Sequence, residues 1–123
     1  MAVRVLIVDD DEDIRQLLSV SLGAVQGIDL VGEAADGEKA VEQTGALAPD
    51  IVVMDLMMPA MDGAAATAEI RRLYPDVMVI GFTAHDAGGT ERLLRAGAVS
   101  VIEKTSFPRL MDLILNLRNN AAS

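Results

Sequence analysis

Apolar residues fall along this chain in short runs, separated by longer stretches with helical spacing. The runs are VRVLIV at 3–8, IDLVGEA at 28–34, DIVVMD at 50–55, DVMVIGF at 76–82 and VSVIE at 99–103. The first, third and fourth are almost continuously apolar, as strands buried on both faces of a parallel sheet are. Between the runs, Ile14, Leu17, Leu18 and Ser21 share one face of a helix, with Asp11 placed to cap it. Ala40, Val41, Thr44 and Leu47 form a second stripe that stops at Pro49. Ala64, Thr67, Ala68 and Arg71, joined by Ile70 and Leu73, form a third that stops at Pro75. Leu93 and Leu94 before Gly97 mark a fourth helix with a glycine stop. Leu110, Leu113, Ile114 and Leu117 mark a fifth, with Ser106 as its cap and Pro108 in its first turn. Strand and helix thus alternate five times, which predicts a doubly wound α/β fold with right-handed crossovers. There is no internal linker, repeat or low-complexity tract. One domain is expected over 1–120, followed by a tail at 121–123, within RNNAAS, that frays.

In open α/β sheets the functional groups gather where strands end. The first run ends in Asp9 and Asp10, the third in Asp55, the fourth in Thr83 and the fifth in Lys104. Asp55 closes a run that reads as buried, and a lone buried charge is expensive. It therefore reaches an open rim among partners. Acids also crowd DDDED at 9–13, and like charges that close invite a cation. With no cysteine, and His85 as the lone histidine in what reads as a loop, a hard, oxygen-ligated ion is the natural choice. Mg²⁺ fits, because it takes one or two carboxylates, keeps waters and binds phosphate oxygens. An aspartate can also attack phosphorus and form an acyl phosphate. Thr83 could donate a hydrogen bond to a phosphoryl oxygen, and Lys104 could offset its charge. Phosphoryl transfer needs mainly positioning and charge neutralisation.

Composition narrows the picture. The 123 residues suffice for one ordinary domain. With two Phe, one Tyr and no Trp, aliphatic and Met side chains must fill its core. The lack of cysteine excludes disulfides and thiolate chemistry. A net charge of −9 argues against direct nucleic-acid binding, and the pairs Arg71/Arg72 and Arg92/Arg95 read as solvated helix faces. No apolar run approaches a membrane span, and MAVRVLIVDD turns acidic too early for a signal peptide. A soluble, cytoplasmic protein is expected.

The ordered motifs resemble the receiver domains of two-component response regulators, over essentially the whole chain. VLIVDDDEDIR is similar to that family's acidic-pair motif, with Asp9 and Asp10 as the pair. MDLMMPAMDG resembles the phosphoacceptor motif, with Asp55 followed by Pro59 and Gly63. FTAHD resembles the Thr-Ala element at Thr83 and Ala84, and AGAVSVIEK the segment ending in the family's lysine, Lys104. The stretch from LVGEAADGEKAVE to PDIVVMDLMMP is similar to the NarL/FixJ-like subclass, whose members often carry a helix-turn-helix output domain and regulate transcription.

The resemblance implies a flavodoxin-like sandwich of order 2-1-3-4-5. It implies a signalling phosphoacceptor rather than an enzyme, with only slow Mg²⁺-dependent self-phosphorylation and self-dephosphorylation. Asp55 would take its phosphoryl group from a sensor histidine kinase. Asp10, Asp55 and the backbone carbonyl of Met57 would hold Mg²⁺, with Asp9 acting through a metal-bound water. Thr83 and Lys104 would contact the phosphoryl oxygens. An output domain, a protein partner or a homodimer would follow phosphorylation. Two positions depart from the family pattern: Val101 stands where a switch aromatic is common, and Thr105 where proline is. Val101 is short and stiff, so with Thr83 as the trigger the signal is expected to leave through TAHDAGGT, 83–90, whose Gly88 and Gly89 are permissive.

Two other readings compete. A phosphatase of the haloacid dehalogenase type also uses Asp, Mg²⁺, Thr and Lys, but its nucleophile ends the first strand and it needs a late acidic pair. A phosphorylation-independent interaction module would have no need of Asp9, Asp10, Asp55, Thr83 and Lys104 together. A nucleotide-binding domain is disfavoured, since no glycine-rich loop follows the first strand.

Overall fold

The computed structural model describes residues 2–84 and 87–122, with side chains as far as Asn119. The strands are β1 (Val3–Val8), β2 (Ile28–Ala34), β3 (Ile51–Met54), β4 (Met78–Thr83) and β5 (Ser100–Glu103). They alternate with α1 (Glu12–Gly23), α2 (Gly37–Leu47), α3 (Gly63–Leu73), α4 (Ala87–Ala96) and α5 (Phe107–Ala122), and a 3₁₀ turn at Lys104–Ser106 leads into α5. All strands pair in parallel, in the order β2-β1-β3-β4-β5. This is the doubly wound, flavodoxin-like arrangement expected.

Strand side chains alternate between faces, and the core divides accordingly. Leu6, Val8, Val52 and Met54 face a layer completed by Ile70 and Leu93. Val5, Ile7, Ile51 and Val53 face Leu18, Leu22, Leu110 and Ile114. Both faces of β1 and β3 are thus covered, which is why β3 is an unbroken apolar run and β1 is interrupted only by the exposed Arg4. Each fully buried Leu or Ile contributes about 2 kcal/mol of hydrophobic stabilisation.

Aspartates start the first three helices. Asp11 accepts from the Asp13 amide at 2.9 Å, Asp36 from Lys39 at 2.8 Å and Asp62 from Ala65 at 2.9 Å. Each satisfies an orphan donor at a helix start.

Several expectations are corrected. Leu17, assigned to the buried stripe of α1, is exposed, and Leu18 and Leu22 face the core instead. Gly88 and Gly89, read as a pliant loop, lie in the first turn of α4, with Gly89 buried. His85 lies outside the described residues. Arg71 is no solvated surface group: its Nη1 donates to the carbonyls of Pro75 and Val77, each at 2.6 Å. Arg92 pairs with Asp62 across two helices. Helix α5 runs through Ala122, and Ser123 lies outside the described residues. Among the described residues, no helix is long and apolar enough to cross a membrane.

Candidate functional site

The carboxyl ends of β1, β3, β4 and β5 meet at one rim. Asp9 follows β1 and is 1% exposed, and Asp55 follows β3 and is 4% exposed. Asp10 lies beside them on the surface. One carboxylate oxygen from each of Asp9, Asp10 and Asp55 lies within 4.8 Å of the others. Lys104 Nζ reaches between two of them, 2.8 Å from Asp9 Oδ2 and 3.5 Å from Asp55 Oδ2. Thr83, buried at the end of β4, hydrogen-bonds the Asp55 carboxylate. The acids, hydroxyl and ammonium read from the strand ends therefore converge. Met57 opens the connection from β3 to α3, with its side chain in solvent.

The electrostatics show a site short of positive charge. Burial, then the neighbouring Asp9 charge, push the Asp55 carboxyl above its ordinary value, although Lys104 and Thr83 pull the other way. Burial works to lower the Lys104 pKa. Its hydrogen bond to Asp9 and the charges of Asp55 and Asp9 outweigh that and raise it. One ammonium thus serves two buried carboxylates, with a third acid alongside. The donors are all hard oxygens, close enough together to share one ion, which suits an oxygen-ligated divalent cation such as Mg²⁺.

The connection after Asp55 is fixed by Gly63. The Gly63 amide donates to the Leu56 carbonyl at 2.8 Å. A Cβ at Gly63 would sit 1.9 Å from the Asp55 carbonyl oxygen. Only glycine permits this approach, and it folds the loop back against the residue that carries the candidate nucleophile. Ala60 turns the chain between them with φ 64°.

Residues 5–115 match the family model for the response regulator receiver domain. The chain belongs to that family. It is 40% identical over 109 residues to a protein-glutamate methylesterase/protein-glutamine glutaminase of Geobacter metallireducens, covering 86% of this chain and 31% of that protein. It is 40% identical over 105 residues to the transcriptional regulatory protein LiaR of Bacillus subtilis, covering 85% of this chain and 50% of LiaR. The receiver domain of the putative response regulator NarL from Mycobacterium tuberculosis superposes with a TM-score of 0.88 at 31% identity, covering 94% of this chain and 95% of that one. This chain spans about a third to a half of the curated relatives' length. The protein is a receiver domain of two-component signalling, and receivers of this family are signalling phosphoacceptors. The NarL/FixJ-like resemblance fits LiaR and NarL, while the methylesterase, of which this chain covers 31%, is by its name an enzyme.

Two features of this receiver's rim were not foreseen. Arg15 on α1 donates from Nη1 to the Asp9 backbone carbonyl at 2.7 Å. A carbonyl is not a residue type, so no motif could have announced it. Val101 pairs with Gly81 across β4 and β5, and its two methyl carbons lie 3.1 and 3.3 Å from where a Gly81 Cβ would be. The space left by the missing side chain at 81 is shared by Val101 and Leu93, whose Cδ1 lies 2.9 Å from the same point.

Proposed function

We propose that this receiver accepts a phosphoryl group on an Asp55 carboxylate oxygen from the phosphohistidine of a sensor kinase. The phosphorus–nitrogen bond breaks as the oxygen–phosphorus bond forms, and the imidazole leaves. The observation that carries the reading is Asp55 itself: an acid at the end of a central strand, raised in pKa by burial, with a hydroxyl and an ammonium on its carboxylate. Asp9, Asp10, Asp55 and the backbone carbonyl of Met57 would hold Mg²⁺, which supplies charge neutralisation for the incoming phosphoryl oxygens. Thr83 hydrogen-bonds one of those oxygens, and Lys104 leaves the carboxylates to neutralise another. Because Lys104 now bridges Asp9 and Asp55, its transfer loosens one contact as it makes the next. Thr83 is the last residue of β4, and drawing it inward pulls on the connection into α4. Val101, seated over Gly81, stays in place. The receiver unit closes within α5, by residue 120. Its output is a cytoplasmic helix-turn-helix domain or partner that regulates transcription, engaged through phosphorylation-dependent pairing of receivers.

Intact mass after incubation with acetyl phosphate and Mg²⁺ tests this. One phosphoryl adduct is expected on the wild type, dependent on Mg²⁺, and none on Asp55→Asn. An adduct that survives in Asp55→Asn rejects the assignment. Binding only to the folded state also requires Mg²⁺ to raise the melting temperature.

A further inference from the structure

We infer that Arg15 is a positioning residue for the cation site, holding the β1–α1 turn in its ligating shape while touching none of the three clustered carboxylates. The inference rests on the reading of Asp9, Asp10 and Asp55 as the Mg²⁺ site. Arg15 sits in the first turn of α1, its side chain 19% exposed. Nη1 donates to the Asp9 carbonyl at 2.7 Å. Nε lies 3.4 Å from Glu33 Oε1 on β2, and Glu33 Oε2 in turn accepts from Ser19 Oγ at 2.9 Å. The guanidinium therefore ties the end of β1 to α1 and β2 at once, as a planar fork of fixed donors can.

The turn needs such a tie. Five consecutive acids run from Asp9 to Asp13, and their mutual repulsion favours splaying the chain. Asp9 is held by its amide to the Ala34 carbonyl at 3.1 Å, and by its Oδ1 accepting from the Asp11 amide at 2.9 Å. Its other carboxylate oxygen meets Lys104 at 2.8 Å, a contact that phosphorylation would take away. The Arg15 contact to the carbonyl does not involve Lys104, so the transfer of Lys104 does not itself remove it. Glu33 and Ser19 matter as much, because an unrestrained guanidinium this close would pair with the carboxylates and compete with the cation.

Charge and positioning predict opposite signs, which makes the inference testable. If Arg15 acted only as a nearby positive charge, removing it would tighten Mg²⁺ binding. If it positions the turn, removing it weakens binding, by about tenfold as for other residues that orient metal ligands. The experiment is calorimetric titration of the full chain with Mg²⁺ alone, with circular dichroism and the metal-free melting temperature recorded for each variant. Arg15→Met is expected to bind about tenfold more weakly, with Arg15→Lys intermediate, since one ammonium cannot span both partners. Glu33→Gln is expected to weaken binding in the wild type and to change nothing further in Arg15→Met. Undiminished or tighter binding by Arg15→Met overturns the inference, as does wild-type affinity in Arg15→Lys. If Arg15→Met does not fold, Arg15→Lys and Glu33→Gln decide, and wild-type affinity in both overturns it. A wild type that takes up no Mg²⁺ rejects the metal reading of the site and this inference with it; normal wild-type uptake with an unaffected Arg15→Met rejects this inference alone.

Discussion

β3 has an aspartate beyond each end. Asp50, before it, is exposed; its Oδ2 accepts the Arg4 amide at 2.9 Å, and its own amide donates to the Arg4 carbonyl at 2.8 Å. Asp55, after it, is buried with Asp9 and shares Lys104 with it. The first carboxylate is answered by a backbone donor and by water. The second is answered by a hydroxyl and a shared ammonium, beside another acid, and burial raises its pKa. The two differ little in sequence, since both border the same apolar run. What separates them is the company that the parallel sheet brings to each rim. An acid satisfied by its own fold is architecture; an acid left short of positive charge invites a ligand.

The comparison breaks most severely at Gly63. Gly63→Val would drive a side chain into the Asp55 carbonyl, and should destabilise the domain by about 3 kcal/mol in urea unfolding and abolish the phosphoryl adduct. No such penalty is expected at the Asp50 end. Next comes Asp55→Asn, which should stabilise the metal-free protein at pH above the folded pKa of Asp55. The sign follows from the raised pKa. A carboxyl that holds its proton more tightly when folded weakens the fold once ionised, at pH above its folded pKa. The gain in Asp55→Asn should therefore be complete above the folded pKa and vanish as pH falls through it toward the ordinary value of 3.8. Melting temperatures of both proteins between pH 3 and 7, on the order of 1 pH unit apart, check this. A gain that grew toward acid pH would reverse the comparison. Smallest is Asp50→Ala, expected to cost about 1 kcal/mol for a lost hydrogen bond. It should leave Mg²⁺ affinity and phosphorylation unchanged.

Asp50 and Asp55 also show what was legible in the sequence. The strands were plain because β1 and β3 are covered on both faces and are apolar apart from Arg4 near the start of β1. The rim was plain because Asp9, Asp55 and Lys104 stand directly beyond strands and Thr83 closes one, where parallel pairing must align them. Helix faces were less legible. Leu17 satisfies the same spacing as Leu18, and only packing reveals which one the sheet can cover. Gly88 and Gly89 read as permissive backbone by residue type, yet both lie in the first turn of α4 and Gly89 is buried. Arg15 was invisible because its partner is a main-chain oxygen.

Gly63 has a consequence for how such a chain can vary over time. The stretch from Asp55 to Gly63 must leave β3, turn through Ala60 and return so that position 63 meets the carbonyl of position 55. That makes it a ruler written in peptide bonds. Residues within it can be exchanged, but one cannot be added or removed without sliding Gly63 off its mark. Heritable change in length is barred here, and insertions must collect in other connections of the fold.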